Sequence, residues 1–515
     1  MHPGPRARIF VFTILAALGA GVAHTAAPVP PQGKIANGLL TQAYPSVGLF
    51  LNGSTVCSGT LIGCSTFLTA AHCVCEDPVT GLILNGRQCN ARPDLLDPAN
   101  KQAFFQHAGR FAVKSVTVHP RFQFRLRGDL AVLTLAQPVT GVGTSRLDLV
   151  SKPALGTAGT VVGFGLAPSL ADRDGTLSGI KRVGAVTTAS CVGVNDLTHV
   201  CFTFDNPLGP PGSNSDTCRG DSGGPLFVDF GDGDVVAGVT SGGDSATCHP
   251  VDHSFDADVF LDRAFLQQAA GVDLDRGFCG DVAPLGSPGT AVLGGAGTLS
   301  ATVPRQVFPF DVPAGTERLR LALNAESGVR LTFAALPGDR PIPGLADCSG
   351  ETVGGLAFCE VLAPAPGRWT VVVRQVAGAG AFQLTATLLP HLLVPGPCFS
   401  SPTALCLADG RFRVEAAWQT FDGSLGLAQA LPLSDPAGFF SFFDPAPAGD
   451  IEIAVKVLDA CSLSGHFWVF AAGLTDVKTL LTVTDTATGK VRTYLSPQGT
   501  PFPPVQDAAA FASCP

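Results

Sequence analysis

Charged residues are scarce in this sequence. Asp, Glu, Lys and Arg make up 14% of the 515 residues, and 32 basic residues against 41 acidic ones give a net charge of −9. The basic residues form no block anywhere along the chain. A nucleic-acid-binding surface needs a concentration of positive charge. We therefore predict no nucleic-acid partner.

Long hydrophobic runs are almost absent as well. The apolar run at residues 9–18 follows two arginines and precedes small residues that continue to Ala27. It is short for a membrane span of about 20 residues, and this layout is typical of a secretory signal peptide. We place that signal at residues 1–26, with an N-terminal membrane anchor as the alternative. No later stretch is apolar enough to cross a bilayer, so we expect a secreted, extracellular protein without a transmembrane segment after signal removal.

The chain also lacks an internal repeat, and its C-terminal half lacks long helical periodicity. Gly (61) and Pro (41) are plentiful and divide the apolar residues into short runs, which is typical of turn-rich β structure. Because 515 residues exceed what one hydrophobic core can organise, we predict an all-β chain of several domains. Half-buried strands are indicated by a period of two at residues 319–323 and 369–373, and further strands are predicted at residues 451–458, 467–471 and 479–483.

Metal-ligand spacing is missing among the sixteen cysteines. Their even number is typical of a disulfide-bonded protein in an oxidising compartment. The one closely spaced pair, Cys73 and Cys75, does not have the separation usual for a zinc site, which leaves a reduced or zinc-binding protein as a weak alternative. We predict no metal and no cofactor.

Three short segments carry the chemistry. They read Thr-Ala-Ala-His72-Cys, Gly-Asp129-Leu-Ala-Val-Leu and Cys-Arg-Gly-Asp-Ser222-Gly-Gly-Pro. A serine hydroxyl is a weak nucleophile near neutral pH and needs a base within hydrogen-bond reach, with a third group to orient that base. Histidine suits the base because its pKa lies near working pH. His72, Asp129 and Ser222 are therefore the candidate catalytic residues.

The order His, Asp, Ser with these flanking residues resembles the trypsin or chymotrypsin-like serine peptidases over residues 35–272. The resemblance implies a two-barrel antiparallel β fold and hydrolysis of peptide bonds through an acyl-enzyme on Ser222. Protein or peptide substrates follow from that activity. By the same resemblance, the backbone N–H groups of Gly220 and Ser222 form the oxyanion hole.

The resemblance also assigns a specificity pocket. The residue six before the nucleophile, Asp216, would line its base and favour Arg or Lys by a charge-assisted hydrogen bond. Its walls would include Ser241, Gly242 and Gly243, where Gly242 replaces the family's usual tryptophan. Ser254 stands where the family has glycine and either narrows the pocket or reflects a shifted alignment. The alternative for Asp216 is an ordinary solvated loop acid.

An activation site is implied by Lys34-Ile35-Ala-Asn-Gly. Cleavage after Lys34 would free an Ile35 ammonium that pairs with Asp221, and residues 27–34 would then be a short propeptide. The alternative is that Lys34 is an ordinary basic residue and that another cut makes the mature N-terminus.

Disulfide pairs are expected on two grounds. The family resemblance implies Cys57–Cys73, Cys191–Cys201 and Cys218–Cys248. Cys75–Cys89 is a plausible short loop, and Cys64–Cys279 would then remain.

The C-terminal half contains two further candidate modules after a linker at residues 273–288. Residues 289–390 resemble the prepeptidase C-terminal β-sandwich of secreted bacterial peptidases, on the strings Phe308-Pro-Phe-Asp-Val-Pro-Ala-Gly and Pro366-Gly-Arg-Trp-Thr-Val-Val-Val. A Cys348–Cys359 bridge belongs to that resemblance. After a linker at 391–397, residues 398–515 resemble another β-rich module of secreted bacterial proteins. The sequence leaves three pairings open for its four cysteines, which are Cys398, Cys406, Cys461 and Cys514.

Two other functions are consistent with the same sequence. One is a catalytically inert homologue that uses the peptidase fold for binding, although all three candidate catalytic residues are present. The other is a surface-binding protein in which the C-terminal modules bind a surface or substrate and proteolysis is incidental.

Overall fold

Almost every regular element in the protein is a β-strand. The computed structural model describes residues 35–53, 55–165, 179–205, 209–245, 248–280, 282–326, 328–338, 346–392, 398–422, 424–443, 445–447 and 449–514. The expected signal peptide and propeptide, including Lys34, lie outside the described residues. Within these ranges, no helix combines the length and the hydropathy needed to cross a membrane.

The first barrel is closed by six antiparallel strands in the order β2-β3-β4-β7-β6-β5. Buried aromatic rings such as Phe50, Phe67 and Phe104 fill its interior. Three short helices lie between β4 and β5, and the second begins with a capping box between Asn85 and Gln88. The elements of this part are β1 (Leu39–Leu40), β2 (Val47–Asn52), β3 (Thr55–Gly63), β4 (Thr66–Thr69), α1 (His72–Cys75), α2 (Gly86–Asn90), α3 (Pro93–Leu96), β5 (Lys101–Phe105), β6 (Gly109–Val118) and β7 (Ala131–Leu135).

A second barrel follows along the chain, with strand order β10-β11-β14-β13-β12-β9. It closes because β9 also pairs with β10. Together the two barrels, residues 39–258, form what we call the two-barrel region. Its remaining elements are β8 (Arg146–Leu147), β9 (Ala158–Gly163), β10 (Arg182–Ala189), β11 (His199–Phe204), β12 (Pro225–Asp229), β13 (Asp234–Gly242) and β14 (Asp252–Asp258), followed by α4 (Arg263–Ala270) and a 3-10 helix (Gly271–Asp275).

Residues 291–390, the sandwich module, form two four-stranded antiparallel sheets. Their orders are β15-β22-β17-β20 and β16-β21-β18-β19, and apolar side chains from both sheets, including the buried Trp369, make one core. The strands are β15 (Ala291–Leu299), β16 (Arg305–Val312), β17 (Thr316–Ala325), β18 (Arg330–Pro337), β19 (Cys348–Glu351), β20 (Leu356–Leu362), β21 (Gly367–Ala377) and β22 (Gly380–Pro390).

Residues 404–511, the C-terminal module, contain two five-stranded sheets around a third core. The all-β prediction is thus confirmed, with two barrels followed by two sandwich-like modules. The elements of this module are β23 (Ala404–Leu407), β24 (Phe412–Gln419), β25 (Leu425–Leu427), β26 (Gln429–Ser434), β27 (Ala437–Ser441), β28 (Ile453–Ala460), α5 (Cys461–Ser464), β29 (His466–Gly473), β30 (Lys478–Asp485), β31 (Lys490–Ser496) and β32 (Val505–Phe511).

All sixteen cysteines are paired in disulfides. The bonds include every pair expected from the family resemblances, and the four cysteines of the C-terminal module adopt one of their three pairings. The eight bonds are Cys57–Cys73, Cys64–Cys279, Cys75–Cys89, Cys191–Cys201, Cys218–Cys248, Cys348–Cys359, Cys398–Cys406 and Cys461–Cys514.

The sandwich module packs one sheet against the two-barrel region. Along β17, Leu319 and its alternate neighbours face the sandwich core, while Arg320 and Asn324 face the other way, and both sets are buried. Arg320 Nη1 donates to the carbonyl oxygens of Thr140 (2.6 Å) and His107 (3.1 Å) in the first barrel. The prediction of a half-buried strand at residues 319–323 is therefore wrong, because the two-barrel region covers its polar face.

One carboxylate, Glu360, neutralises two arginines at this interface. Glu360 Oε1 accepts from Arg318 Nη1 at 2.9 Å and Oε2 accepts from Arg320 Nε at 2.8 Å, with the Glu360 side chain fully buried. Burial acts to raise the pKa of Glu360, but the charges and hydrogen bonds of Arg320 and Arg318 outweigh it and lower that pKa. The buried charges of Arg318, Arg320 and Glu360 are thus paired with one another.

We predict that Glu360→Ala strongly destabilises the protein, because it leaves two buried guanidinium groups without their carboxylate. Removing one partner of a buried ion pair costs about 3–5 kcal/mol, so the midpoint of urea unfolding should fall clearly. Glu351→Ala is the matched control, since its pair with Arg330 is exposed and exposed pairs contribute under about 1 kcal/mol. Equal midpoints for the two variants would contradict the interpretation.

Candidate active site

His72 and Asp129 come from the first barrel. His72 opens α1 directly after β4, and Asp129 precedes β7, the strand that pairs with β4. The His72 Nδ1 and Asp129 Oδ2 atoms lie 2.7 Å apart. The backbone N–H of His72 also donates to Asp129 Oδ1 at 2.8 Å. One carboxylate therefore fixes both the ring and the backbone of His72.

The second barrel contributes a further donor to Asp129. Ser241 Oγ, from β13, donates to Asp129 Oδ2 at 2.5 Å. Burial acts to raise the pKa of Asp129, but the charge and hydrogen bonds of His72, with the Ser241 bond, outweigh it and lower that pKa. Ser241 is the residue predicted as a pocket wall, and its hydroxyl bonds to the carboxylate that orients His72.

The charge of Asp129 has the opposite effect on the ring of His72. Burial acts to lower the pKa of His72, yet the charge and hydrogen bond of Asp129 outweigh it, so this pKa is raised above its ordinary value. The His72 Nε2 atom lies 3.8 Å from Cys73 Sγ, a sulfur already bonded to Cys57. Nδ1 is committed to Asp129, which leaves Nε2 as the atom that can exchange a proton.

Ser222 lies in the tight turn before β12, where glycine is required by geometry. Gly220 and Gly223 have φ angles of 89° and 82°, and residues with a Cβ atom rarely adopt such angles. A Cβ on Gly223 would also lie 2.2 Å from Thr69 Oγ1 and 2.5 Å from the Ser58 carbonyl oxygen. This turn presents Ser222 at a partly exposed position between the barrels. No hydrogen bond joins the Ser222 hydroxyl to His72, and such bonds are often long without substrate.

Two backbone donors in the same turn are free. Asp221 N–H and Gly223 N–H donate to Cys218 and Thr240, respectively. The N–H groups of Gly220 and Ser222 have no acceptor in the described part of the chain. These are the two donors that the sequence assigned to an oxyanion site.

The predicted pocket residue Asp216 is fully buried beside Ser254. Ser254 Oγ donates to Asp216 Oδ1 at 2.5 Å, so Ser254 does lie against the carboxylate. Asp216 Oδ2 accepts no hydrogen bond in the described residues, and neither does either oxygen of Asp256. Burial raises the pKa of Asp216, with Asp252 adding to the shift. Burial likewise raises the pKa of Asp256, to which the Asp216 charge contributes.

Sequence reasoning missed Asp252 and Asp256. Both belong to β14, in which Asp252, Ser254 and Asp256 alternate along one side of the strand. That period of two, starting from Ser254, was the signal that could have identified them. The result is a buried group of carboxylates with unpartnered oxygen atoms.

Phe255 was also missed, and it explains the glycine at position 242. A Cβ on Gly242 would lie 2.9 Å from Phe255 Cζ, so the ring from β14 leaves little room for a larger side chain at position 242. Arg125 covers this ring, with its guanidinium carbon 5.0 Å from the ring centroid. Its Nη2 donates to Asp244 Oδ1 at 2.8 Å. Gly243, the third expected wall residue, lies beside Asp252.

The described residues of the predicted activation segment are buried in the second barrel. Ile35 packs with Val161 and Val186, and Ala36 forms a backbone bridge with Asp216. The Asp221 carboxylate is also buried, where Oδ1 accepts from Gly165 N–H at 2.7 Å and Oδ2 from Cys218 N–H at 2.9 Å.

Comparisons with known proteins agree with this geometry. A family model described as Trypsin matches residues 38–260. Brachyurin from Leptuca pugilator is 30% identical over 210 residues, which are 39% of this chain and 81% of that protein. Human granzyme M is 31% identical over 205 residues, which are 37% of this chain and 70% of that protein.

Two further relatives are more distant. Trypsin iota from Drosophila melanogaster is 28% identical over 210 residues, covering 39% of this chain and 77% of its own length. The solved structure of mouse neuropsin, a serine protease, covers 45% of this chain and 98% of its own at 19% identity and a TM-score of 0.35. From brachyurin and granzyme M, with the matching family model, it follows that this chain belongs to the trypsin family of serine proteases.

Proposed function

We propose that the protein is a secreted serine endopeptidase with His72, Asp129 and Ser222 as its catalytic triad. The observation that carries the proposal is the His72–Asp129 pair beside a turn that holds Ser222 and two free N–H donors, since Cys73 Sγ lies 3.8 Å from both His72 Nε2 and the Ser222 carbonyl oxygen. The eight disulfides are typical of an extracellular protein.

In the proposed reaction, Ser222 Oγ attacks the carbonyl carbon of the scissile peptide bond while its proton passes to His72 Nε2. The carbonyl oxygen becomes an oxyanion that accepts hydrogen bonds from the N–H groups of Gly220 and Ser222. His72 then gives the proton to the leaving amine, and the C–N bond breaks to leave an acyl-enzyme. Water, deprotonated by His72, releases the acid and restores the serine.

Ser222→Ala tests the proposal directly. The variant should be secreted and folded, because alanine retains the backbone of the turn, and it should lose nearly all peptide hydrolysis because it has no nucleophile. The measurement is peptide cleavage, with mass spectrometry to locate a serine-directed phosphonate on wild-type Ser222. Residual cleavage at the wild-type rate would refute the triad, and an inactive wild type would favour a binding homologue.

The pH dependence of kcat/KM should report the His72–Asp129 pair. His72 must be neutral to act as base, so activity is lost as the pH falls through its pKa. Because the net effect of Asp129 and burial raises that pKa, the acid limb should have an apparent pKa above the ordinary value of about 6.5. Measurement of kcat/KM from about pH 5 to pH 9 checks this. A limb below 6.5 would contradict the role of Asp129.

We further propose that the pocket prefers Arg or Lys before the scissile bond. Buried carboxylate oxygens without a donor are costly, and Asp216 and Asp256 present three such atoms. A guanidinium or ammonium group from the substrate would supply the missing donors and a compensating charge. The Ser254 hydroxyl already occupies one oxygen of Asp216, so a basic side chain would have to share that carboxylate.

Asp216→Ser should shift cleavage in a positional peptide library away from Arg and Lys, because the pocket loses the carboxylate that would pair with a basic side chain. Discrimination for a basic residue should fall at least about tenfold, the value of one lost charge-assisted bond. Asp232→Ser, which removes an exposed acid on a loop, is the control and should cleave like wild type. A wild-type enzyme without preference for basic residues would remove the pocket assignment while leaving the triad intact.

Activation at Lys34-Ile35 is the last part of the proposal. Asp221 is buried beside the oxyanion turn, and a new Ile35 ammonium would be a compensating charge for it. If the pocket accepts lysine, the enzyme can cut this bond itself. Mature protein should begin at Ile35 by N-terminal sequencing, and Lys34→Gln should accumulate an inert precursor. A different N-terminus, or full activity of Lys34→Gln, would exclude this activation scheme.

A further inference from the structure

Ser58 holds both residues of the proposed oxyanion site. Its backbone N–H donates to the Ser222 carbonyl oxygen at 2.8 Å, and its hydroxyl donates to the Gly220 carbonyl oxygen at 2.9 Å. Ser58 itself is fully buried in β3. The Gly220–Asp221 and Ser222–Gly223 peptide groups are therefore both tied to this one residue.

The Ser58 hydroxyl is connected in turn to the chain beyond β9. It accepts a hydrogen bond from Phe164 N–H at 3.0 Å. The Phe164 carbonyl oxygen accepts from Gly179 N–H at 3.0 Å. A hydroxyl that both accepts and donates has a fixed rotor, so the position of Phe164 influences which way Ser58 can donate.

Gly179 is held from outside the two-barrel region. Its carbonyl oxygen accepts from Asn324 Nδ2 in β17 of the sandwich module at 2.9 Å. A Cβ on Gly179 would lie 2.9 Å from the Ala325 carbonyl oxygen, so the two backbones touch. Asn324 has no exposed surface, and its own side-chain oxygen accepts no hydrogen bond in the described residues. The hydrogen bond that the Asn324 amide donates to Gly179 is therefore the one polar contact of this buried side chain among the described residues.

From this chain of contacts we propose that Asn324 is a positioning residue for the oxyanion site, acting through Gly179, Phe164 and Ser58. The inference rests on the proposed peptidase function. If Asn324 has this role, the sandwich module contributes to catalysis indirectly, by positioning the oxyanion donors without contacting a reacting atom.

A second link between the same two regions runs through Arg182, which is buried in β10. Burial lowers the pKa of Arg182 to about 10, while the negative charges of Glu326 and Asp221 act to raise it. The charge of Arg182 therefore interacts with Glu326 of the sandwich module and with Asp221, the residue before Ser222. Gly165 N–H, adjacent to Phe164, also donates to Asp221. Both links end at the turn that contains Gly220 and Ser222.

The expected effect is on the transition state. Donors aimed at an oxyanion stabilise it only if they are held in place before charge develops. Loosening the turn should lower kcat and leave the ground-state binding of substrate, measured by KM, nearly unchanged. A purely structural contact would instead lower the amount of folded enzyme and leave kcat per active site unchanged.

The experiment compares Asn324→Ala with Gln383→Ala. Gln383 is the cross-strand neighbour of Asn324 on β22 and presents the same amide to the same interface. It contacts Gln106 (2.7 Å) and Thr41 (2.9 Å) instead of Gly179. For each variant, kcat per titrated active site, KM, the urea midpoint and the affinity for a peptide boronate are measured, since a boronate oxygen occupies the oxyanion site.

Asn324→Ala should lower kcat about tenfold and weaken boronate binding by a similar factor, a fraction of the effect of deleting an oxyanion donor. Gln383→Ala should retain kcat within about twofold at a comparable loss of stability. Equal kcat values for Asn324→Ala and wild type would overturn the proposal, and an inactive wild type would instead overturn the peptidase assignment.

If Asn324→Ala does not fold, Asn324→Ser replaces it. The serine hydroxyl is too short to reach Gly179 but remains polar, and the same loss of kcat and boronate affinity is expected. If neither variant yields folded enzyme while Gln383→Ala does, Asn324 is a structural residue and the positioning role is refuted.

Discussion

A buried carboxylate is stable only if hydrogen-bond donors or a cation compensate for the water it has lost. This constraint applies at three sites of the molecule, where it is met to different degrees. Glu360 is satisfied completely by two arginines, and the sandwich module can therefore bury a charged sheet face. Asp129 is satisfied by His72 and Ser241, and its charge is available to support the base. Asp216 and Asp256 are left with unpartnered oxygens. The degree of satisfaction thus falls from the structural interface to the proposed substrate pocket.

The buried interface indicates that the sandwich module is a structural part of the folded protein and not only a tethered accessory domain. A tethered binding domain would be expected to touch its enzyme through a small, wet surface. Here strand β17 is buried on both faces, and its polar side chains contact backbone groups of both barrels. The sandwich therefore stabilises the two-barrel region as a neighbouring part of one folded body. Removing the whole module would delete Arg320 and Asn324 and expose the surface of the two-barrel region that they cover, so single substitutions separate folding from function more cleanly than truncation.

The sequence identified the candidate catalytic residues because the relevant motifs are local. The segments around His72 and Ser222 contain the glycines and small residues that their turns require, and a short string is enough to recognise them. The pocket was harder, since Asp256 reaches Asp216 only through the pairing of distant strands. The interface was harder still. A period of two in residues 319–323 indicates two different faces, but it says nothing about what covers the polar face.

The close approach of Gly242 and Phe255 has a consequence for substitution at either position. Gly242 and Phe255 occupy one volume, since even a methyl group at position 242 would meet the Phe255 ring. Tryptophan at position 242 with Phe255 retained would overpack this volume. Replacing Phe255 by a small residue would instead leave the guanidinium of Arg125 without its aromatic support. The effects of substitutions at the two positions should therefore be non-additive, so that each residue determines which side chains the other position tolerates.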